Sequence, residues 1–269
     1  MTATTHSTKG TALITGASTG IGAIYADRLA KRGYDLILVA RNKDRLNTLA
    51  SKLTSETGRS VKTIAADLNN KNELHDVEET LKADKSITML VNNAGVGAVS
   101  SVLDNDVDEM EAMINLNITA LTRLTYAAAP AFVERNAGTI INISSVVGIA
   151  VELLNGVYSA SKSYVLSFGH TLQRDLADKG VRVQTVLPGG TITEFWDVAG
   201  YAKQKESPKM MTAEDLVDAA LAGLDQGELV TIPTLQDGED WARWEAARRE
   251  LTPKFANPEP APRYGLATA

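Results

Sequence analysis

The chain has 269 residues, 44% of them hydrophobic and 22% charged, with a formal net charge of -6. At ~150 residues per domain this is one large domain or two small ones, with enough apolar material to exclude disorder over most of its length. An acidic chain without a long Lys/Arg block makes a poor clamp for a phosphate backbone, so nucleic acid is not an expected partner. Cysteine is absent, which excludes disulfides, thiol nucleophiles and thiolate metal sites. His6, His75 and His170 stand far apart in sequence, so neither a histidine metal site nor a Ser-His-Asp triad is expected. No apolar run reaches ~18 residues, and the opening MTATTHSTKG has no apolar leader core. The expectation is a soluble cytoplasmic protein that makes no use of a membrane.

Short apolar runs alternate with helical patterns along the chain. Strand Thr11–Thr15 leads to helix Ile21–Arg32, then strand Asp35–Arg41 to helix Lys43–Glu56. Strand Ser60–Asp67 precedes helix Lys71–Ala83, and strand Met89–Asn92 precedes a long helix over Val107–Arg135. Strand Thr139–Ile143 is followed by helix Gly156–Lys179, strand Val181–Leu187 by helix Ala213–Gln226, and a last strand covers Leu229–Ile232. Runs such as DLILVA and TIINIS are apolar on both faces, as parallel strands covered by helices on each side must be. The pattern predicts a doubly wound α/β fold with a parallel seven-stranded sheet, of Rossmann type. Residues 1–234 would form this nucleotide-binding and catalytic domain. Residues 235–269 differ: Gln236–Glu250 is charged and carries Trp241 and Trp244, and four of the eight prolines fall between Pro253 and Pro262. That end reads either as a surface helix with a polyproline-like tail, or as an arm covering the active site or a neighbouring subunit.

Strand TALIT runs into Gly16-Ala-Ser-Thr-Gly20-Ile-Gly22 and a helix starts at once. Glycines let the backbone turn tightly and approach a pyrophosphate, while the helix N-terminus offers free N–H groups and a positive dipole. The spacing is GxxxGxG rather than GxGxxG, and by itself a turn that merely needs small residues would look the same. Three further segments add to it: Asn92-Asn93-Ala94-Gly95, Ser144-Ser145, and Tyr158-Ser-Ala-Ser-Lys162, which begins thirteen residues after Ser145. In order and spacing, over roughly residues 9 to 234, the chain resembles the short-chain dehydrogenase/reductase family, in its single-domain NAD(P)-dependent branch.

The resemblance implies that Ser145, Tyr158 and Lys162 are catalytic, joined by Asn117 in the segment Asn117-Ile-Thr-Ala120. Asn115 is the rival for that last place. Gly16, Ser18, Thr19, Gly20, Ile21 and Gly22 would turn around the pyrophosphate, Asp67 and Leu68 would contact the adenine, and Asn93, Ala94 and Gly95 would pass beneath the adenosine ribose. Pro188, Gly189, Thr191 and Thr193 would close on the nicotinamide and the phosphates, and Tyr158 and Lys162 would also touch the cofactor. No metal is implied. Hydride transfer to or from a carbonyl carbon needs a proton donor or acceptor at the oxygen, and a tyrosine can serve if its phenol, ordinarily near 10, is tuned. Tyr158 and Lys162 are four apart and share a helix face, so the ammonium is expected to favour the phenolate.

Where NAD-preferring relatives carry an acidic residue after the second strand, this chain has Ala40-Arg41, which predicts NADP(H) over NAD(H), though NAD(H) remains usable. Apolar residues flank the site segments, among them Val146, Val147, Leu153, Leu154, Phe195 and Trp196, so the expected substrate is an uncharged, apolar ketone, aldehyde or alcohol. The resemblance implies a homotetramer or homodimer, with the long helices after the fourth and fifth strands as the main contact. A non-catalytic nucleotide sensor with this fold is the competing reading, and an isomerase using a transient hydride shift is a third.

Overall fold

The computed structural model describes residue 7 and residues 9–266, and His6 lies outside them. The chain forms two compact units, Met1–Pro233 and Thr234–Ala269. In the first, strands β1 (Thr11–Thr15), β2 (Asp35–Ala40), β3 (Val61–Ala65), β4 (Ile87–Asn92), β5 (Gly138–Ile143), β6 (Val181–Val186) and β7 (Val230–Thr231) form one sheet. Its order is β3-β2-β1-β4-β5-β6-β7, and every paired neighbour is parallel. Two apolar layers cover the sheet. One joins Ile14, Val91 and Ile143 to Leu29 and Leu221, the other joins Leu13, Leu90 and Ile140 to Val77, Leu124 and Leu172. This is the doubly wound Rossmann-type fold that the alternation of strands and helices predicts. The order reverses between β1 and β4, so the loops leaving those two strands diverge and open a crevice at their carboxyl ends.

Helices α1 (Gly20–Lys31), α2 (Lys43–Thr57) and α3 (Lys71–Ala83) lie close to the predicted spans. The helix predicted over Val107–Arg135 is in fact three pieces: α4 (Val107–Ile114), a π-helical segment Asn115–Ala120, and α5 (Leu121–Glu134). The wider turn is invisible to a hydrophobic period of 3.6, because it re-aims only a few residues. Helix α6 (Gly156–Leu176) crosses β6 at close range. A Cβ on Gly169 would lie 2.0 Å from Thr185 Oγ1, so only glycine permits this approach. The short α7 (Phe195–Val198) was not foreseen, and α8 (Ala213–Gln226) carries the predicted Thr212 cap, whose hydroxyl accepts from Asp215 N.

The second unit holds α9 (Gly238–Leu251), where a helix was expected over 236–250, and Trp241 stacks on Trp244 with ring centroids 4.8 Å apart. Among the described residues no helix is long and apolar enough to cross a membrane.

Candidate active site

The glycine turn is shaped by close contact. Gly16 and Gly20 have positive φ, and a Cβ on Gly22 would lie 2.3 Å from the Gly16 carbonyl oxygen. Ser18, Thr19 and Ile21 are half-buried around it. The N-cap of α1, Thr19, makes no side-chain cap bond and the first turn carries no acidic residue. The helix therefore presents unpaired N–H groups and its positive end, as an anion site requires. Thr15, not singled out from sequence, stabilises the neighbouring strand end: its hydroxyl accepts from Asn93 N and Ala94 N, both at 3.0 Å. Asn93 donates back through Nδ2 to Thr15 O and Gly16 O, so its side chain ties β4 to the glycine turn. Its neighbour Asn92 donates to Thr125 Oγ1 and Asn142 Oδ1 in the core.

On the other side of the crevice stand Ser145, Tyr158 and Lys162, all buried. Ser145 follows β5 and caps a single 3-10 turn, accepting from Val147 N at 3.3 Å and donating to Pro188 O at 3.4 Å. Its hydroxyl stands near the Tyr158 phenol and favours the ionised form. Lys162 reaches past the ring, its Nζ 5.7 Å from the Tyr158 centroid, and donates to Ile143 O at 3.0 Å. Asn117 and Gly95 meet it from the side: a Cβ on Gly95 would lie 3.1 Å from Asn117 Oδ1 and 3.4 Å from Lys162 Nζ. Ser145, Tyr158, Lys162, Asn117 and Gly95 are thus brought to one place from four separate stretches of sequence.

The π-helical segment sets the two asparagines in different surroundings. Asn117 is 1% exposed; its Oδ1 accepts from Val96 N, and its Nδ2 donates to Val96 O and Ser161 Oγ. Asn115 is only half-buried. Ser161, a residue not singled out from sequence, orients the amide by accepting from it.

The cofactor-side loops are equally specific. Arg41 is exposed just beyond β2 and makes no ion pair among the described residues, whereas Arg45 pairs with Glu194 at 2.7 Å. Asp67 is half-buried with Oδ1 accepting from Asn69 N, and the Leu68 side chain is in the core, which leaves its backbone for a ligand. Pro188 is buried, and its carbonyl accepts from Val146 N. Thr191 donates to Gly189 O and bridges to Met211, so its hydroxyl is already engaged. Thr193 lies against the glycine turn, within 3.3 Å of where a Gly20 Cβ would be. Phe195 closes the substrate side, 5.5 Å from the Tyr158 ring, and fills the space a side chain at Gly97 would need. The role of Gly97 was not legible in sequence, because nothing marks it apart from other loop glycines.

Burial pushes the Tyr158 phenol up to about 12, and Ser145 opposes the shift. Burial also brings the Lys162 ammonium down to about 8. Removal of water is the leading cause of the shift at both groups.

The chain matches the short chain dehydrogenase family model over residues 10–203. It belongs to the short-chain dehydrogenase family. A short-chain dehydrogenase from Sphingobium yanoikuyae, solved in complex with NADPH, superposes with a TM-score of 0.91 at 44% identity, over 94% of this chain and 98% of that one. The bulky-bulky ketone specific alcohol dehydrogenase from Comamonas testosteroni gives 0.88 at 42% identity, over 95% and 98%. An uncharacterised oxidoreductase of Staphylococcus saprophyticus is 35% identical, over 82% of this chain and 93% of its own length.

A lysine depressed by burial makes stability depend on pH in a known direction. Between pH 8 and 10.5 the unfolded short-chain dehydrogenase holds a proton that the folded one has released, so stability rises with pH there. Lys162→Met lacks this contribution. Urea denaturation at about pH 7.5 and about pH 10 should show the wild type gaining about 2 kcal/mol on the variant. An unchanged difference would mean that the ammonium is solvated in the ordinary way.

Proposed function

We propose that the protein is an NADP(H)-dependent oxidoreductase interconverting an uncharged, apolar ketone or aldehyde and its alcohol, with Tyr158 as general acid and base. The observation that carries this is the setting of Tyr158: beside Ser145 and Lys162, and enclosed by apolar side chains. Met113 and Val147 pack with it, and Val96, Ala98, Met110, Leu154 and Phe195 surround them. The side chains packed around the Tyr158 ring are apolar, a setting that favours an uncharged substrate. The NADPH complex of the Sphingobium relative and the ketone specificity of the Comamonas relative support the same reading.

The residues present fit a dinucleotide. The uncapped α1 N-terminus and the Gly16 and Gly22 cradle suit its pyrophosphate, and Asp67, Leu68, Asn93, Ala94 and Gly95 border the adenosine side. When bound, the reduced nicotinamide supplies the hydride to the carbonyl carbon. Charge then develops on the carbonyl oxygen, and in this reading the Tyr158 phenol, protonated at neutral pH, donates to it. Ser145 offers its hydroxyl to the same oxygen, as an oxyanion-stabilising group does. Lys162 uses one of its three N–H groups on Ile143 O, leaving others for ribose hydroxyls. Asn117 keeps an Oδ1 lone pair for a water on the proton route to solvent. Helices α5 and α6 serve a homotetramer in this reading: Tyr126, 69% exposed, stacks on Phe168 and extends an aromatic surface across them.

Tyr158→Phe removes the proton donor and little else. It should cost about a thousandfold in kcat, roughly 4 kcal/mol, with NADPH affinity near wild type. Retention of more than about a tenth of the wild-type kcat would show that another group moves the proton. On the cofactor side, the unpaired Arg41 fits a 2′-phosphate through charge-assisted hydrogen bonds. Steady-state kinetics should favour NADPH over NADH by about tenfold in kcat/KM, ~1.4 kcal/mol, and Ala40→Asp with Arg41→Ile should reverse the order. Equal efficiency of the unmodified protein with both cofactors would contradict the role given to Arg41.

A further inference from the structure

Asn155 stands where two parts of the site meet. It is 6% exposed and caps α6, its Oδ1 accepting from Val157 N at 2.9 Å and Tyr158 N at 3.2 Å. Its Nδ2 points the other way and donates to Ser100 O at 2.7 Å. The network fixes the amide orientation, because a flip would set donor against donor and acceptor against acceptor. Ser100 belongs to the loop between β4 and α4, whose Val96 and Ala98 surround Tyr158. Beyond Ser100 the loop is bonded mainly to itself: Asn105 donates to Ser100 O and Ser101 O, and Ser101 to Asp104. Its tip exposes Val102 and Leu103, 87% and 91%, so little apolar burial holds it in place.

We propose that Asn155 is a positioning residue that holds the Tyr158 backbone and the substrate-side loop 96–105 together as one unit. The proposal rests on Tyr158 being the proton donor. A cap alone needs only an acceptor, and serine or aspartate supplies one as well. Asparagine adds a donor on the same side chain, and here that donor reaches the loop. Substrate binding against Val96 and Ala98 is thereby felt at the first turn of α6, where the Tyr158 ring is set relative to Ser145 and Lys162.

Two variants separate the functions. Asn155→Ser keeps the cap but cannot reach Ser100, and Asn155→Ala loses both contacts. Hydrogen exchange by mass spectrometry on the protein without ligand should show the 96–105 segment exchanging about tenfold faster in both variants, with the first turns of α6 loosened in Asn155→Ala alone. With propiophenone as probe, KM should rise about fivefold in both, while kcat falls about tenfold only in Asn155→Ala. NADPH affinity should stay near wild type in both. Wild-type exchange of the loop in Asn155→Ser overturns the coupling, and so does a wild-type KM in a variant whose loop has loosened. The exchange experiment needs no turnover. A wild-type protein inactive toward every carbonyl would therefore sink the proposed function while this test still decided the coupling.

Discussion

A lysine ammonium held inside the protein with a single carbonyl for a partner is the constraint on which the site turns. Water would satisfy three donors; at Lys162 the protein supplies Ile143 O and excludes solvent. Burial on those terms depresses the ammonium. Everything around it keeps that space shaped. Gly95 leaves room beside the amine, Asn117 fixes the chain that carries Gly95, and Ser161 fixes Asn117. The same removal of water raises the Tyr158 phenol.

These side chains meet because parallel strands deliver their carboxyl ends to one edge of the sheet. β1 brings the glycine turn, β4 the Asn93–Gly95 segment, β5 Ser145 and β6 the Pro188–Thr193 loop. Helix α6 then lays Tyr158 and Lys162 across that edge, and its depth is set by Gly169 against Thr185. The loop after β6 returns over the crevice from the glycine turn at Gly20 to α2, where Glu194 meets Arg45. An exposed pair of this kind adds little stability, ~0–1 kcal/mol, so the contact marks the path of the loop more than it holds it.

Much of this was legible in the sequence because it depends on local rules. Strands buried on both faces read as continuous apolar runs, and a four-residue spacing on a helix puts Tyr158 and Lys162 on one side whatever surrounds them. Where the outcome depended on distant partners, sequence was silent. The different burial of Asn117 and Asn115 depends on the π-helical turn, and the contact of Phe195 with Gly97 joins residues nearly a hundred positions apart. Asn155 carried a readable signal, a polar cap just before a helix, but its second bond, to Ser100, did not. The surroundings of the Tyr158 phenol were hidden for a related reason. Spacing reveals the nearby charge, whereas the depth of burial, which decides the balance here, belongs to the whole fold.

The direct measurement follows the hydride itself. NADPH deuterated at the transferable C4 position is incubated with propiophenone in ordinary water, and the product alcohol is examined by mass spectrometry and NMR. The account predicts deuterium at the carbinol carbon, one for each NADPH oxidised, with the hydroxyl proton drawn from solvent. NADPH that binds without being consumed, or is consumed without leaving deuterium in the alcohol, would contradict it.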